Sequence, residues 1–192
     1  MDIILQADHQ LFQAINSLAG KWQFLDWLGI FCAKFLIWVI FIIVAIWWLN
    51  LARTRASHNW PIEGKRKWLI FGSVSLSLVL SVLINQLLAM VKFRSRPFLN
   101  FNINKLIEPL SEKSFPSDHA TVAFAISTAV FFYNKKLGSV LIFLSVLISI
   151  GRIFAGVHYP IDIIGGMIVG GGVALTINQI LKTKDKKYKP KT

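Results

Sequence analysis

Three short stretches of this 192-residue chain carry residue types that can handle a phosphate. "VKFRSRPF" puts Lys92, Arg94 and Arg96 before Pro97, "FPSDHAT" puts Ser117, Asp118 and His119 after Pro116, and "GRIFAGVHYPIDIIGG" holds Arg152, His158 and Asp162. Pro116 suits the first position of a helix, which would aim the backbone N–H groups of Ser117, Asp118 and His119, and the positive end of the dipole, at an anion. Asp162 falls four residues after His158, in the first turn of a helix opened by Pro160. From there its carboxylate can reach one imidazole nitrogen and leave the other as nucleophile or base.

Phosphoryl transfer asks for cations and N–H groups around the phosphate oxygens, an in-line nucleophile, and an acid for the leaving oxygen. In this set His158 would attack phosphorus and Asp162 would stabilise the imidazolium. His119 would protonate the departing group and then activate the water that hydrolyses a phosphohistidine. Lys92, Arg96, Ser117, Asp118 and Arg152 are the candidate substrate ligands. Carboxylates near these stretches are few, so neither a metal site nor a cofactor is expected.

The elements that position these residues are predicted to be membrane helices. The chain is 55% hydrophobic, with 15 Phe and 7 Trp, and several apolar runs approach the ~20 residues that cross a bilayer core. Strands of a barrel would alternate, and no such pattern is present. The fold class expected is all-α: a polytopic membrane bundle of about five spanning helices, near Phe24 to Leu49, Trp68 to Val91, Ser117 to Tyr133, Leu137 to Phe154 and Pro160 to Leu181. Residues 1–192 read as one integral membrane domain. Residues 1–22 read as an amphipathic helix on the membrane surface, from the spacing of Ile4, Leu11, Phe12, Ile15 and Leu18, and residues 182–192 as a basic tail.

A net charge of +12 follows topology and forms no stripe suited to nucleic acid. Thirteen of the 21 basic residues fall in the first loop, the third loop and the tail, which the positive-inside rule assigns to the cytoplasm. The three phosphate-handling stretches then share the extracytoplasmic side of the cell membrane. Lys34, two turns into the first helix, either snorkels or faces a polar cavity. Gly166 and Gly170 form a small-xxx-small pair for close helix packing. The lone Cys32 supports no disulfide.

Taken together, "RP" at Arg96 and Pro97, "PSDH" at Pro116 to His119, and Arg152 followed by "HYPID" at His158 to Asp162 resemble the three signature motifs of the type 2 phosphatidic acid phosphatase superfamily. The resemblance implies a nucleophile at His158 partnered by Asp162, a general acid at His119, phosphate ligands at Arg96, Ser117 and Arg152, and metal-independent hydrolysis of a lipid phosphate or diphosphate. Two positions depart from the pattern. Ala89 stands where the family usually has a lysine, a role open to Lys92 or Arg94, and Gly151 stands where a serine often precedes the motif arginine. Chain length, "FLD" at Phe24 to Asp26 and "SFPSDHAT" look most like bacterial undecaprenyl-diphosphatases of the bacitracin-resistance type, which implies a lipid diphosphate substrate in the outer leaflet. Other lipid phosphates, phosphatidylglycerophosphate among them, remain open as substrates. An anion channel or a non-hydrolysing lipid-diphosphate scaffold are the non-enzymatic readings. Oligomeric state is not legible.

Overall fold

The computed structural model describes residues 2–53, 60–91, 94–109 and 112–187, with side chains for 3–50, 68–91, 94–109 and 112–181. Among them the secondary structure is helical: α1 (Asp2–Asn16), α2 (Gln23–Ile30) running through a π-helical turn (Phe31–Phe35) into α3 (Leu36–Arg53), α4 (Trp60–Val91), the short α5 (Pro97–Asn100), α6 (Asp118–Phe131), α7 (Lys135–Phe154) and α8 (Pro160–Lys187). Four stretches are long and apolar enough to cross a membrane: Gln23–Asn50, Trp68–Val91, Lys135–Phe154 and Pro160–Leu181. They agree with four of the expected spans.

The fifth differs in length. α6 has 14 residues, about 21 Å at 1.5 Å per residue, short of a bilayer core. It is also the central helix, packed against α4, α7 and α8, with Ala120, Ala123, Ala125, Ile126, Ala129 and Val130 buried. A helix wrapped by others can be shorter than the lipid is thick. Its small residues let the neighbours approach, and the glycine pair of α8 completes the fit. A Cβ on Gly166 would stand 2.7 Å from the Ser117 carbonyl oxygen, and one on Gly170 would stand 2.2 Å from that of Thr121. Lateral packing of this kind is a main source of helix association in lipid, and here it brings the starts of α6 and α8 together.

The rest of the core forms two layers. Leu36, Ile37 and Ile40 of α3 meet Ala123, Ile126 and Val130 of α6 and Leu141 and Ile148 of α7. Nearer the site, Phe12 of α1 packs with Ala120, Phe124, Ile153, Tyr159 and Ile163.

That second layer shows how the helix expected within residues 1–22 meets the protein. α1 turns a stripe of Asp8, Phe12 and Asn16, spaced four apart, into the protein, all three buried, while Ile3, Ile4, Leu5, Leu11 and Leu18 stay exposed. Asn16 Nδ2 donates to the carbonyls of Asn104 and Phe154, both at 2.8 Å, and Asn104 donates back to Asn16 Oδ1 and to the Ala19 carbonyl. The helix is docked by hydrogen bonds as well as by its apolar surface. Lys34 is exposed, with its ammonium 5.6 Å from the centre of the Phe35 ring.

Candidate active site

The site forms where α6 and α8 begin, because both starts are tied to the same neighbours. Pro160 opens α8 as expected, and Asp162 Oδ2 reaches back to the Tyr159 N–H at 2.8 Å, as an acidic residue three positions into a helix commonly does. α6 differs from the expectation for Pro116. The Phe115–Pro116 bond is cis, and the helix starts at Asp118 with Ser117 as its N-cap. The Ser117 N–H, expected to point at an anion, donates instead to the Asp162 carbonyl at 3.0 Å. That bond fastens one motif to the other.

Residues 94–96 are clamped alongside. The Ser114 N–H donates to the Arg94 carbonyl at 2.8 Å, and Ser95 pairs with Lys113 in an isolated antiparallel bridge. Arg96, 3% exposed, then reaches the third motif: its Nη1 donates to the Val157 carbonyl at 2.8 Å and lies 3.2 Å from His158 Nε2.

This contact sets the imidazole tautomer by elimination. A guanidinium can only donate, so Nε2 must present its lone pair and Nδ1 must carry the hydrogen. Nδ1 faces Asp162 Oδ2 at 3.7 Å, within ion-pair range but longer than a hydrogen bond. Burial pushes His158 down to about 4. The pull of Asp162 only partly opposes that, while the guanidinium groups of Arg152 and Arg96 add to the fall. The ring is therefore neutral at pH 7. Burial likewise lowers Arg96, against the opposing influence of Asp118 and Asp162.

Arg152 leaves the last turn of α7 and donates from Nη1 to the Ala33 carbonyl at 3.2 Å, on the π-helical turn. In that turn the Leu36 N–H reaches back five residues to Phe31, and widened turns of this kind recur at functional sites. Gly151 allows the approach, since a Cβ there would lie 2.8 Å from the Ala33 nitrogen. The glycine that replaces the usual serine is thus a packing requirement.

Besides the Nδ1–H of His158, two buried donors of this group, Ser117 Oγ and Arg152 Nε, have no hydrogen-bond partner among the described residues. Leaving such a donor unpaired costs about 1–3 kcal/mol. Both belong to motif residues, and an anion's oxygens would satisfy both. His119, in the first turn of α6, lies within electrostatic reach of Arg152, His158, Asp118 and Arg96. The structure thus gathers His158, His119, Asp162, Arg96, Ser117, Asp118 and Arg152. Lys92 lies outside the described residues.

Five further residues join them that the sequence reading did not single out. The Asp118 carboxylate accepts from Asn85 Nδ2 at 2.6 Å and Lys113 Nζ at 2.9 Å, and Asn85 in turn accepts from Thr121 Oγ1 at 2.9 Å. Ser114 Oγ donates to Asp162 Oδ2. Asp8 pairs with Arg94 at 2.6 Å. Lys113 carried a faint signal, a cation four residues before Ser117, and Asp8 stands at helical spacing from Phe12.

Residues 71–186 match the PAP2 superfamily. The chain belongs to that superfamily, and it is a membrane lipid phosphatase. It is 31% identical to the undecaprenyl-diphosphatase BcrC of Bacillus subtilis (strain 168) over 163 residues, 84% of this chain and 78% of the relative. It is 29% identical to the putative undecaprenyl-diphosphatase YbjG of Escherichia coli (strain K12), over 83% of this chain and 75% of that one. Among solved structures the fold is shared with Aquifex aeolicus LpxE, with a TM-score of 0.65 at 23% identity, covering 88% of this chain and 93% of that one. It is also shared with a PAP2-type phosphatidylglycerolphosphate phosphatase from Bacillus subtilis, with a TM-score of 0.60 at 20% identity, covering 100% and 90%.

Proposed function

We propose that this chain removes the terminal phosphate of undecaprenyl diphosphate at the extracytoplasmic face of the cell membrane, through a phosphohistidine. The observation that carries the reading is the pairing of a neutral, tautomer-fixed His158 with two buried, unpartnered donors, Ser117 Oγ and Arg152 Nε. The names of the relatives favour the diphosphate substrate, and the uneven distribution of Lys and Arg favours the outward site and a cytoplasmic C-terminus.

Arg96, Arg152 and Ser117 hold the oxygens of the terminal phosphate, displacing Arg96 from its resting contact with Nε2. The Nε2 lone pair of His158 attacks phosphorus, and the bond to the bridging oxygen breaks. His119, which takes up a proton from solvent as the negative diphosphate enters among the arginines, gives that oxygen its proton as the imidazolium, and undecaprenyl phosphate leaves. Asp162 offsets the positive charge that the phosphorylated ring acquires. His119, now neutral, takes a proton from water as the water oxygen attacks the phosphohistidine. The P–N bond breaks, inorganic phosphate leaves, and His158 regains its neutral form. No step requires a metal ion: the nearby carboxylates are committed, Asp162 to Arg94, Ser114 and Tyr159, Asp118 to Lys113 and Asn85, and Asp8 to Arg94 and the Ile161 N–H.

The test is phosphate release by the purified chain in detergent with excess EDTA, undecaprenyl diphosphate being compared with phosphatidylglycerophosphate. Faster turnover of the diphosphate is expected, with complete loss in His158→Ala. Retained turnover in that variant removes the proposed nucleophile, and preference for phosphatidylglycerophosphate overturns the substrate assignment.

A further inference from the structure

Asp8 belongs to none of the three phosphate-handling stretches, yet it is 4% exposed and ends against two of them. Its Oδ1 accepts from the Ile161 N–H at 2.8 Å, capping a donor in the first turn of α8, and its Oδ2 lies 2.6 Å from Arg94 Nη2. The other amino group of the same guanidinium, Nη1, lies 3.2 Å from Asp162 Oδ1, and the guanidinium carbon sits 3.9 Å from the centre of the Tyr159 ring. Tyr159 also packs with Phe12 of α1, with ring centroids 5.3 Å apart. Both amino groups of Arg94 and one of its faces are thus occupied, an arrangement suited to a fixed bridge and unsuited to a side chain that reaches for a phosphate.

We infer that Asp8 and Arg94 are positioning residues for His158, acting through Asp162: α1 supplies a second carboxylate that shares the charge of Arg94 and leaves Asp162 able to support the imidazole. The inference rests on the reading of His158 as nucleophile. Its physics is a count of charge. Asp8, Arg94 and Asp162 together carry a net charge of about −1, matched to the positive ring that forms when Nε2 is phosphorylated. With Asp8 neutral the trio carries no net charge, and the whole guanidinium charge falls on Asp162, competing with Nδ1–H for the same carboxylate. The loss appears only as the ring becomes charged, so it affects the chemical step and spares substrate binding. Ser114 and Tyr159 hold Oδ2 in place, so the carboxylate itself stays put.

The experiment measures kcat and KM for undecaprenyl diphosphate with the full chain in detergent, in Asp8→Asn, Asp8→Glu, Arg94→Gln, Arg94→Met, the Asp8→Asn/Arg94→Met pair and His158→Ala. Asp8→Asn is expected to lower kcat roughly 10-fold, the low end of what losing a hydrogen-bond partner costs a metal-bound histidine, with KM within about twofold. Asp8→Glu is expected to recover most of the loss, and Asp8→Asn to add less than about twofold in the Arg94→Met background. An unchanged kcat in Asp8→Asn, or an equal loss with and without Arg94, overturns the inference, the second outcome making Asp8 a purely structural anchor. If Asp8→Asn does not accumulate as folded protein, Arg94→Gln decides: a fall in kcat supports a positioning role, whereas a rise in KM alone makes Arg94 a substrate ligand. Turnover surviving in His158→Ala defeats the underlying reading of the nucleophile, while an inactive His158→Ala beside a wild-type-like Asp8→Asn defeats only this inference.

Discussion

Adding one methyl group at Gly166 tests whether the spacing of α6 and α8 governs catalysis. The new Cβ would meet the Ser117 carbonyl oxygen at 2.7 Å, Ala120 Cβ at 2.9 Å and the Thr121 nitrogen at 3.0 Å. Two of these are backbone atoms, so no side-chain rotation relieves them. Restoring the closest contact from 2.7 Å to the 3.4 Å of ordinary packing requires the helices to part by about 0.7 Å. Ser117 and His119 ride on α6 while Asp162 rides on α8, so the parting opens the site itself. Misplacement by ~1 Å can cost on the order of 100-fold in rate, and a shift of this size is expected to cost about 10-fold in kcat/KM, with about 1–3 kcal/mol lost to overpacking. Gly172→Ala is the control, because a Cβ there meets nothing within 4 Å. The assay is phosphate release beside thermal unfolding of all three proteins in one detergent. Gly166→Ala with turnover within twofold of the parent, or with a loss no larger than that of Gly172→Ala, refutes the argument.

Three further outcomes follow from the site. Turnover is expected to fall as pH drops from neutral toward about 4, where protonation takes the lone pair of His158. The folded value lies below the ordinary 6.5, so between the two the unfolded chain binds more protons and stability is lost as pH falls. A melting temperature at pH 4.5 equal to or above that at pH 7 contradicts this. Gly151→Ser puts a Cβ 2.8 Å from the Ala33 nitrogen, which drives α7 off the π-helical turn and loosens Arg152. The expected result is a roughly 10-fold rise in KM, and a variant that binds substrate as well as the parent excludes it.

Much of this site was legible because its determinants are local. The helix start at Pro160, the reach of Asp162 back across one turn, and the close approach at Gly166 and Gly170 each depend on residues a few positions apart. The membrane class and four spans follow from run length alone. What escaped was set by distant partners. Asp8 finds Arg94, 86 positions away, and nothing near it in sequence separates an inward carboxylate from a solvated one. Arg94, a candidate phosphate ligand by sequence, is instead engaged by two carboxylates. The shortness of α6 was hidden because hydropathy measures lipid compatibility, whereas a helix enclosed by protein answers to its neighbours. The direction of the Ser117 N–H escaped for a related reason: Pro116 fits the first helical turn by residue type, but the N–H is claimed by the Asp162 carbonyl on another helix.

The match between Gly151 and the widened turn at residues 31–35 also bears on how variants of this enzyme can arise. A hydroxymethyl group at position 151 and a bulge opposite it exclude each other, so a change at one is tolerated only when the other changes too. Homologues bearing serine there should therefore show an unbroken α-helical register across the facing segment, and grafting either half alone between two such sequences should produce a poorer enzyme than grafting both.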